Sequence, residues 1–216
     1  ISVRRYLKEE KRPDWKLNLM IALADGVWFY MDKEKEQWQK LFPKKPMVAL
    51  HNTITGVDDM VRYVPKVSIE KLKEKYGIYQ KVVFIFCARF TANRRVDLLL
   101  KTINHLDSNK YGFVIIGAGD SKPDFSNFDN VYDFGAVYDT AVKQELFALA
   151  DIYFQPGWVG LSIVEAMAYG KPIFTFERSS ETLQCVEYSY IHNGENGLIF
   201  KNIDDCIDKI KLLSST

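Results

Sequence analysis

The sequence predicts an α/β fold: a doubly wound parallel sheet preceded by a partial N-terminal α/β fragment. Three observations carry this reading. From residue 68 onward, short apolar runs of strand length alternate with segments of helical spacing. Val82-Val-Phe-Ile-Phe-Cys87 is apolar throughout, as expected of a strand buried on both faces of a parallel sheet. No internal repeat or low-complexity segment interrupts the alternation, which is the pattern of consecutive βαβ units.

Taken in order, residues 1 to 22 open with a charged stretch (Arg4, Arg5, Lys8, Lys11) and pass into helical spacing from Trp15 to Leu23. Gly26 to Met31 is a strand candidate, Asp32 suits an N-cap, and Lys33 to Leu41 reads as a helix stopped by Pro43. Met47-Val-Ala-Leu50 is a second strand candidate. Residues 1–50 thus look like the last βαβ piece of one α/β unit, and 51–66, with Gly56, Asp58, Asp59 and Pro65 and no clear period, like a linker. Residues 67–216 form the regular domain. A helix runs from Ser68 to Gly77, and Val96, Leu99, Leu100, Ile103 and Leu106 recur at helical spacing. Phe113 to Gly117 and Val131 to Phe134 are strands, and Asp139 caps a helix to Leu149. Ile152 to Phe154 and Ile173 to Phe176 flank a short helix ending at Gly170, and Asn202 caps a last helix with Ile203, Ile207 and Ile210 inward.

Composition excludes several classes. Hydrophobic residues make up 47% and charged residues 26%, ordinary for a globular chain with a sizeable core. A net charge of +1 argues against a nucleic-acid binder with a broad basic face. Cys87, Cys185 and Cys206 are widely spaced, and with three His and no Cys-x-x-Cys no metal is assigned. No apolar run approaches the roughly 20 residues that cross a bilayer. A cytoplasmic setting is the expectation, with the basic residues near the start offering contact to an anionic membrane surface beside the plainer reading of solvated charge. The start at Ile1 rather than Met, and the stop just after a helical pattern, lead us to expect a piece of a longer protein.

In a doubly wound sheet, ligands sit outside the carboxyl ends of the strands, so the loops after Cys87, Ile116, Phe134, Phe154 and Phe176 should share one rim. In the first of these loops Arg89 sits at the strand's end and Arg94 at the entrance of the next helix, so both can point into the rim. Two guanidinium forks suit a diphosphate, whereas solvated surface arginines are the plain alternative and the preferred reading for Arg95. Gly117 and Gly119 let the chain turn sharply after a strand, a weak signal alone. In Phe134-Gly-Ala-Val-Tyr138, Gly135 and Val137 can offer backbone groups to a base, or simply build a tight loop. Tyr138 and Trp158 can stack on a ligand or pack. The most informative stretch runs from Gln155 to Phe174. Gly160, Leu161 and Ser162 enter a helix with backbone N–H groups available to phosphate. Glu165, about one turn further in, suits ribose hydroxyls, and its apolar neighbours mean that it needs a partner.

Arg89 with Arg94, Gly117-Ala-Gly119, Phe134-Gly-Ala-Val137, Ala150-Asp151 and Gly160-Leu-Ser-Ile-Val-Glu-Ala-Met-Ala-Tyr-Gly-Lys-Pro172, in that order, resemble the C-terminal domain of retaining family-four glycosyltransferases of the GT-B type. The similarity covers about residues 80 to 202. It implies a Rossmann-like domain binding a nucleotide-diphosphate sugar. Arg89 and Arg94 (at a usual Lys position) would serve the catalytic role of holding the leaving diphosphate, together with the backbone of Gly160, Leu161 and Ser162. Val137 would border the base and Glu165 would bind the ribose. One departure stands out: the family's second Glu, eight positions before Glu165, is Gly157 here.

The resemblance implies sugar transfer with retention, no cofactor beyond the donor, and a saccharide or lipid-linked acceptor bound by a separate N-terminal domain. It also implies a place in polysaccharide biosynthesis and little activity for this piece alone. Two rivals share the nucleotide cradle: a GT-B-fold epimerase, which needs an acid and base pair at the sugar, and a non-catalytic nucleotide-sugar-binding module.

Overall fold

The computed structural model describes residues 2–3 and 15–213. They fall into two units, residues 1–53 and 54–216. The first unit holds β1 (Ser2–Val3), α1 (Trp15–Leu23), β2 (Val27–Phe29), α2 (Asp32–Leu41) and β3 (Met47–Ala49). Its strands form a parallel sheet in the order β1-β2-β3. Alternation along β2 buries Val27 and Phe29, which join Ile21 and Trp38 in a small core. Strand β1 is too short for any sequence pattern to announce. Asp32 is not the cap expected of it. It is the first residue of α2, the cap position belongs to Met31, and the Asp32 carboxylate lies 2.5 Å from His51 Nε2. The charged stretch around Arg4, Arg5, Lys8 and Lys11 lies outside the described residues.

The second unit runs α3 (Val57–Val61), α4 (Ile69–Tyr76), β4 (Val82–Cys87), α5 (Val96–His105), β5 (Tyr111–Ile116), β6 (Val131–Asp133), α6 (Thr140–Leu149), β7 (Ile152–Phe154), α7 (Ser162–Ala168), β8 (Ile173–Phe176), β9 (Gly197–Phe200) and α8 (Ile203–Leu213). Helix α3 stands where a linker without period was expected. Asp58 and Asp59 in its first turn suit a helix start, but five residues are too few to show a period. The caps behave as read: Ser68 accepts from Lys71 N, Asp139 from Ala141 N and Val142 N, and Asn202 from Asp205 N.

The sheet is parallel throughout, in the order β6-β5-β4-β7-β8-β9. Strand β4 shows why its sequence is apolar at every position. Phe84 and Phe86 join one core with Leu99 and Ile103 of α5 and Cys206, Ile207 and Ile210 of α8. Val83, Ile85 and Cys87 join the other, with Leu72 of α4, Leu146 and Phe147 of α6, and Ile163 and Ala166 of α7. Each such fully buried side chain contributes roughly 2 kcal/mol of transfer free energy. The registers set Cys87 beside Ile116, Ile115 beside Asp133, Phe154 beside Phe174 and Phe176 beside Phe200. All carboxyl ends therefore face one rim, as the sequence predicts.

Candidate functional site

From β4 the chain proceeds to β5 and β6 on one side, and from β7 to β8 and β9 on the other. The reversal opens a crevice at the carboxyl ends of β4 and β7, where doubly wound sheets take their ligands. Two loops bound it, residues 88–95 and 155–161.

Arg89, at the end of β4, is exposed and has no hydrogen-bond or ion-pair partner among the described residues. Arg94 closes a short 3-10 turn, Ala92–Arg94, and reaches across the crevice: its Nη1 donates to the Trp158 carbonyl. Its Nε is buried without a partner, and among the described residues no carboxylate lies within ion-pair range. Burial pushes the Arg94 pKa down from its ordinary value, with Tyr153 and Cys185 pulling weakly the other way. Arg95 differs from the solvated surface arginine expected. Its fork pairs with Asp97 at 2.8 and 2.9 Å, and Nη1 donates to Thr182 Oγ1 at 2.5 Å.

The 155–161 loop is held from below by two glutamines. Gln155, fully buried, donates from Nε2 to the carbonyls of Gly157 (3.2 Å) and Trp158 (2.7 Å). Its Oε1 accepts from Ser162 Oγ at 2.8 Å and lies 2.7 Å from the Tyr153 hydroxyl. Gln184 Oε1 accepts from Val159 N at 2.8 Å, and its Nε2 donates to Phe176 O and Thr175 Oγ1. Trp158 N donates to Leu183 O at 2.8 Å. These bonds hold Trp158 in the left-handed region, φ 49°, a conformation costing on the order of 1 kcal/mol for such a residue. Beyond it, the backbone N–H groups of Gly160, Leu161 and Ser162 have no acceptor among the described residues. Ile163 N and Val164 N fold back onto the carbonyls of Gly160 and Leu161.

Gly157 has a structural reason. A Cβ there would lie 2.7 Å from Asn93 O and 2.8 Å from Arg95 Cγ, so the loop after β4 fills the space a side chain would need. Gly117 and Gly119, both at φ +149°, are also explained by packing. A Cβ would come within 2.0 Å of Ala88 O at the first and 2.2 Å of Phe90 O at the second. They bring the two rim loops together and need no ligand to account for them. Gly135 offers less than expected as well: its N–H donates to Asp133 Oδ1 and its carbonyl accepts from Gly117 N. The backbone groups of Val137 have no partner among the described residues, while the side chain packs on the second core. Tyr138 is 93% exposed and Trp158 half-buried.

Glu165 is 9% exposed, and its required partner is Lys143 of α6, whose Nζ lies 2.7 Å from each carboxylate oxygen. Lys143, Gln155 and Gln184 were not legible as site residues. The first is 22 positions from Glu165 in another helix, and the glutamines read as ordinary polar residues. Cys87 is no nucleophile: burial pushes its thiol up to about 12. Among the described residues no cluster of His, Cys, Asp and Glu is placed to hold a metal, and no helix is long and apolar enough to cross a membrane.

The comparisons with known proteins converge on one family. The family model described as glycosyl transferases group 1 matches residues 81–215. A Haemophilus influenzae protein described as an uncharacterized glycosyltransferase is 25% identical over 207 residues, covering 90% of this chain and 53% of that one. The chain thus spans about half the length of that curated relative. Among solved structures, Anabaena Alr3699/HepE in complex with UDP superimposes with a TM-score of 0.69 at 16% identity, covering 99% of this chain and 62% of that one. WaaG, described as a glycosyltransferase involved in lipopolysaccharide biosynthesis, gives 0.65 at 20% identity, covering 88% and 54%. TarM gives 0.64 at 18% identity, covering 98% and 42%. These likenesses establish the fold as the Rossmann-like C-terminal type of GT-B proteins. With its parallel sheet, its crevice at the strand reversal and a family match over most of the second unit, the chain belongs to the glycosyl transferases group 1 family.

Proposed function

We propose that this chain is the donor-binding part of a retaining glycosyltransferase, which moves a sugar from a nucleotide-diphosphate sugar to a saccharide or lipid-linked acceptor. One observation carries the reading. Among the described residues, the half-buried Arg94 has a neutral carbonyl, that of Trp158, as its hydrogen-bond partner, its Nε is buried with none, and the backbone N–H groups of Gly160, Leu161 and Ser162 just beyond Trp158 have no acceptor. A buried charge without a counter-charge is costly, and an anion that fills the crevice would relieve it. A diphosphate matches both the guanidinium and the N–H groups.

In this reading Arg94, Arg89 and the N–H groups of Gly160, Leu161 and Ser162 stabilise the charge that grows on the leaving diphosphate as the sugar gains oxocarbenium character. Because the donors are already in place, little reorganisation is needed at the moment of reaction. Val137 borders the base and Glu165 takes the ribose. Residues 1–50 are the tail of the acceptor-side domain, and transfer needs the rest of that domain. The Anabaena relative has been solved with UDP-glucose and with UDP and glucose, and S. aureus TarM with UDP and α-GlcNAc-glycerol, which favours a nucleotide-sugar donor here and UDP as the first probe.

Calorimetric titration of the chain with UDP, GDP and ADP tests the proposal. One of the three should bind, and Arg94→Met should weaken it roughly tenfold to a hundredfold, the worth of one or two charge-assisted hydrogen bonds. No binding by any of them, or unchanged affinity in Arg94→Met, sinks it.

A further inference from the structure

Glu165 and Lys143 come from different helices but meet at the same rim. Lys143 lies one turn into α6, whose cap Asp139 directly follows the Phe134–Tyr138 loop that carries Val137. Glu165 lies in the first turn of α7, just past Gly160, Leu161 and Ser162. The other titratable groups that sense this carboxylate are Cys87 at the end of β4, Tyr153 of β7 and Tyr169 just beyond α7. Burial drives all three further into their neutral forms, leaving Lys143 as the one opposite charge paired with Glu165 among the described residues.

The geometry of the pair is specific. Nζ is 2.7 Å from Oε1 and 2.7 Å from Oε2, so the ammonium spans both oxygens instead of capping one. A carboxylate offers about four acceptor sites, two on each oxygen. With one site on each oxygen taken by Lys143, one on each remains. The sites that remain lie on the outer edges of the two oxygens, fixed in direction, and each can accept from one hydroxyl donor.

We infer that Lys143 is a positioning residue, which clamps the Glu165 carboxylate in an orientation whose free acceptor sites receive the hydroxyls of the donor's ribose and ties that acid to the helix that follows the base-side loop. This rests on the donor-binding reading above and adds to it a residue that sets specificity for ribose. The ammonium does not touch the nucleotide in this account; it acts through Glu165.

The test is calorimetry of the chain with UDP, GDP and ADP, each alongside its dideoxyribose form. For the nucleotide that binds, the wild type should favour the ribose form by about tenfold or more. Lys143→Met should weaken the ribose form about tenfold and leave the dideoxyribose form within about twofold, erasing the preference. Lys143→Arg, which can still span both oxygens, should keep it. If Lys143→Met does not fold, Lys143→Gln carries the test, since its amide reaches only one oxygen and should also lose most of the preference. Equal weakening of ribose and dideoxyribose forms, or an intact preference in both neutral variants, overturns the inference alone. Failure of all six nucleotides to bind the wild type overturns the donor-binding reading, and this inference with it.

Discussion

The two halves of the crevice are built on opposite principles. On the side of residues 155–162, the carbonyls of Pro156, Gly157 and Trp158 and the amide of Val159 all have buried side-chain partners. Gln155, Gln184, Tyr153 and Thr175 form a continuous network beneath a strained Trp158. Removing any one bond leaves others to hold the loop. On the side of Val137 and Glu165, the loop leading to α6 is half exposed, and one ion pair links α6 to the acid on α7. The first half is over-determined by hydrogen bonds, whereas in the second apolar packing joins α6 to α7 and one ion pair fixes the acid. A surface that must meet a fixed, highly charged group gains from rigidity, because preorganised donors need no reordering when the anion arrives. In the proposed reading the other half accepts a flat base and ribose hydroxyls, for which one directional clamp is enough.

The largest break in this comparison should come from Gly157. Its Cβ position is already inside the Asn93 carbonyl and Arg95 side chain, so Gly157→Ala carries most of the collision and Gly157→Glu little more. Either should cost about 3 kcal/mol, roughly 10 °C in the melting temperature. Placing there the acid that the family resemblance leads one to expect should therefore not create a sugar contact. If Gly157→Glu melts with the wild type, the loop after β4 is not fixed as described. A smaller effect follows from Gln155→Leu, which deprives Ser162 Oγ and the Gly157 carbonyl of their partners in a buried setting. About 2 kcal/mol should be lost in a denaturant titration. The loss should be well short of that at Gly157, because Trp158 O keeps Arg94 and Val159 N keeps Gln184.

Much of the framework was legible in the residues. The unbroken apolar run of β4 announces burial on both faces, and Ser68, Asp139 and Asn202 cap helices as their side chains predict. The shared rim follows from alternation alone. What escaped had physical reasons. Helix α3 is too short to display a period, and β1 has two residues. The site was half legible. Arginines and glycines could be placed on the rim, yet Gly117 and Gly119 serve loop-against-loop packing, which a sequence cannot separate from ligand approach. Lys143 could not be found because nothing local relates residues on two helices.

Adjacent Arg94 and Arg95 show the same limit most sharply, and they supply the smallest test. A single residue of left-handed backbone, φ 52° at Arg95, turns the chain so that the two guanidiniums meet opposite fates. Arg95 has an acid and Arg94, among the described residues, has none. The hydrogen-bonded Arg95 fork holds the Asp97 carboxyl below its ordinary value of 3.8. A carboxyl lowered in the folded state stabilises the fold above its unfolded value, and that contribution fades as the pH falls through the lower folded value. Asp97→Asn should therefore lower stability by the full contribution above about pH 5 and by progressively less as the pH falls below about 4, removing that part of the acid limb's slope. With Asp97 half exposed the effect is about 0.5 kcal/mol, discounted for solvent screening, and is best read from the urea midpoint at matched ionic strength. An acid limb that stays as steep in Asp97→Asn would mean that Arg95 is as solvated as its sequence context suggests. The contrast between a partnered arginine and an unpartnered neighbour would then lose its energetic support.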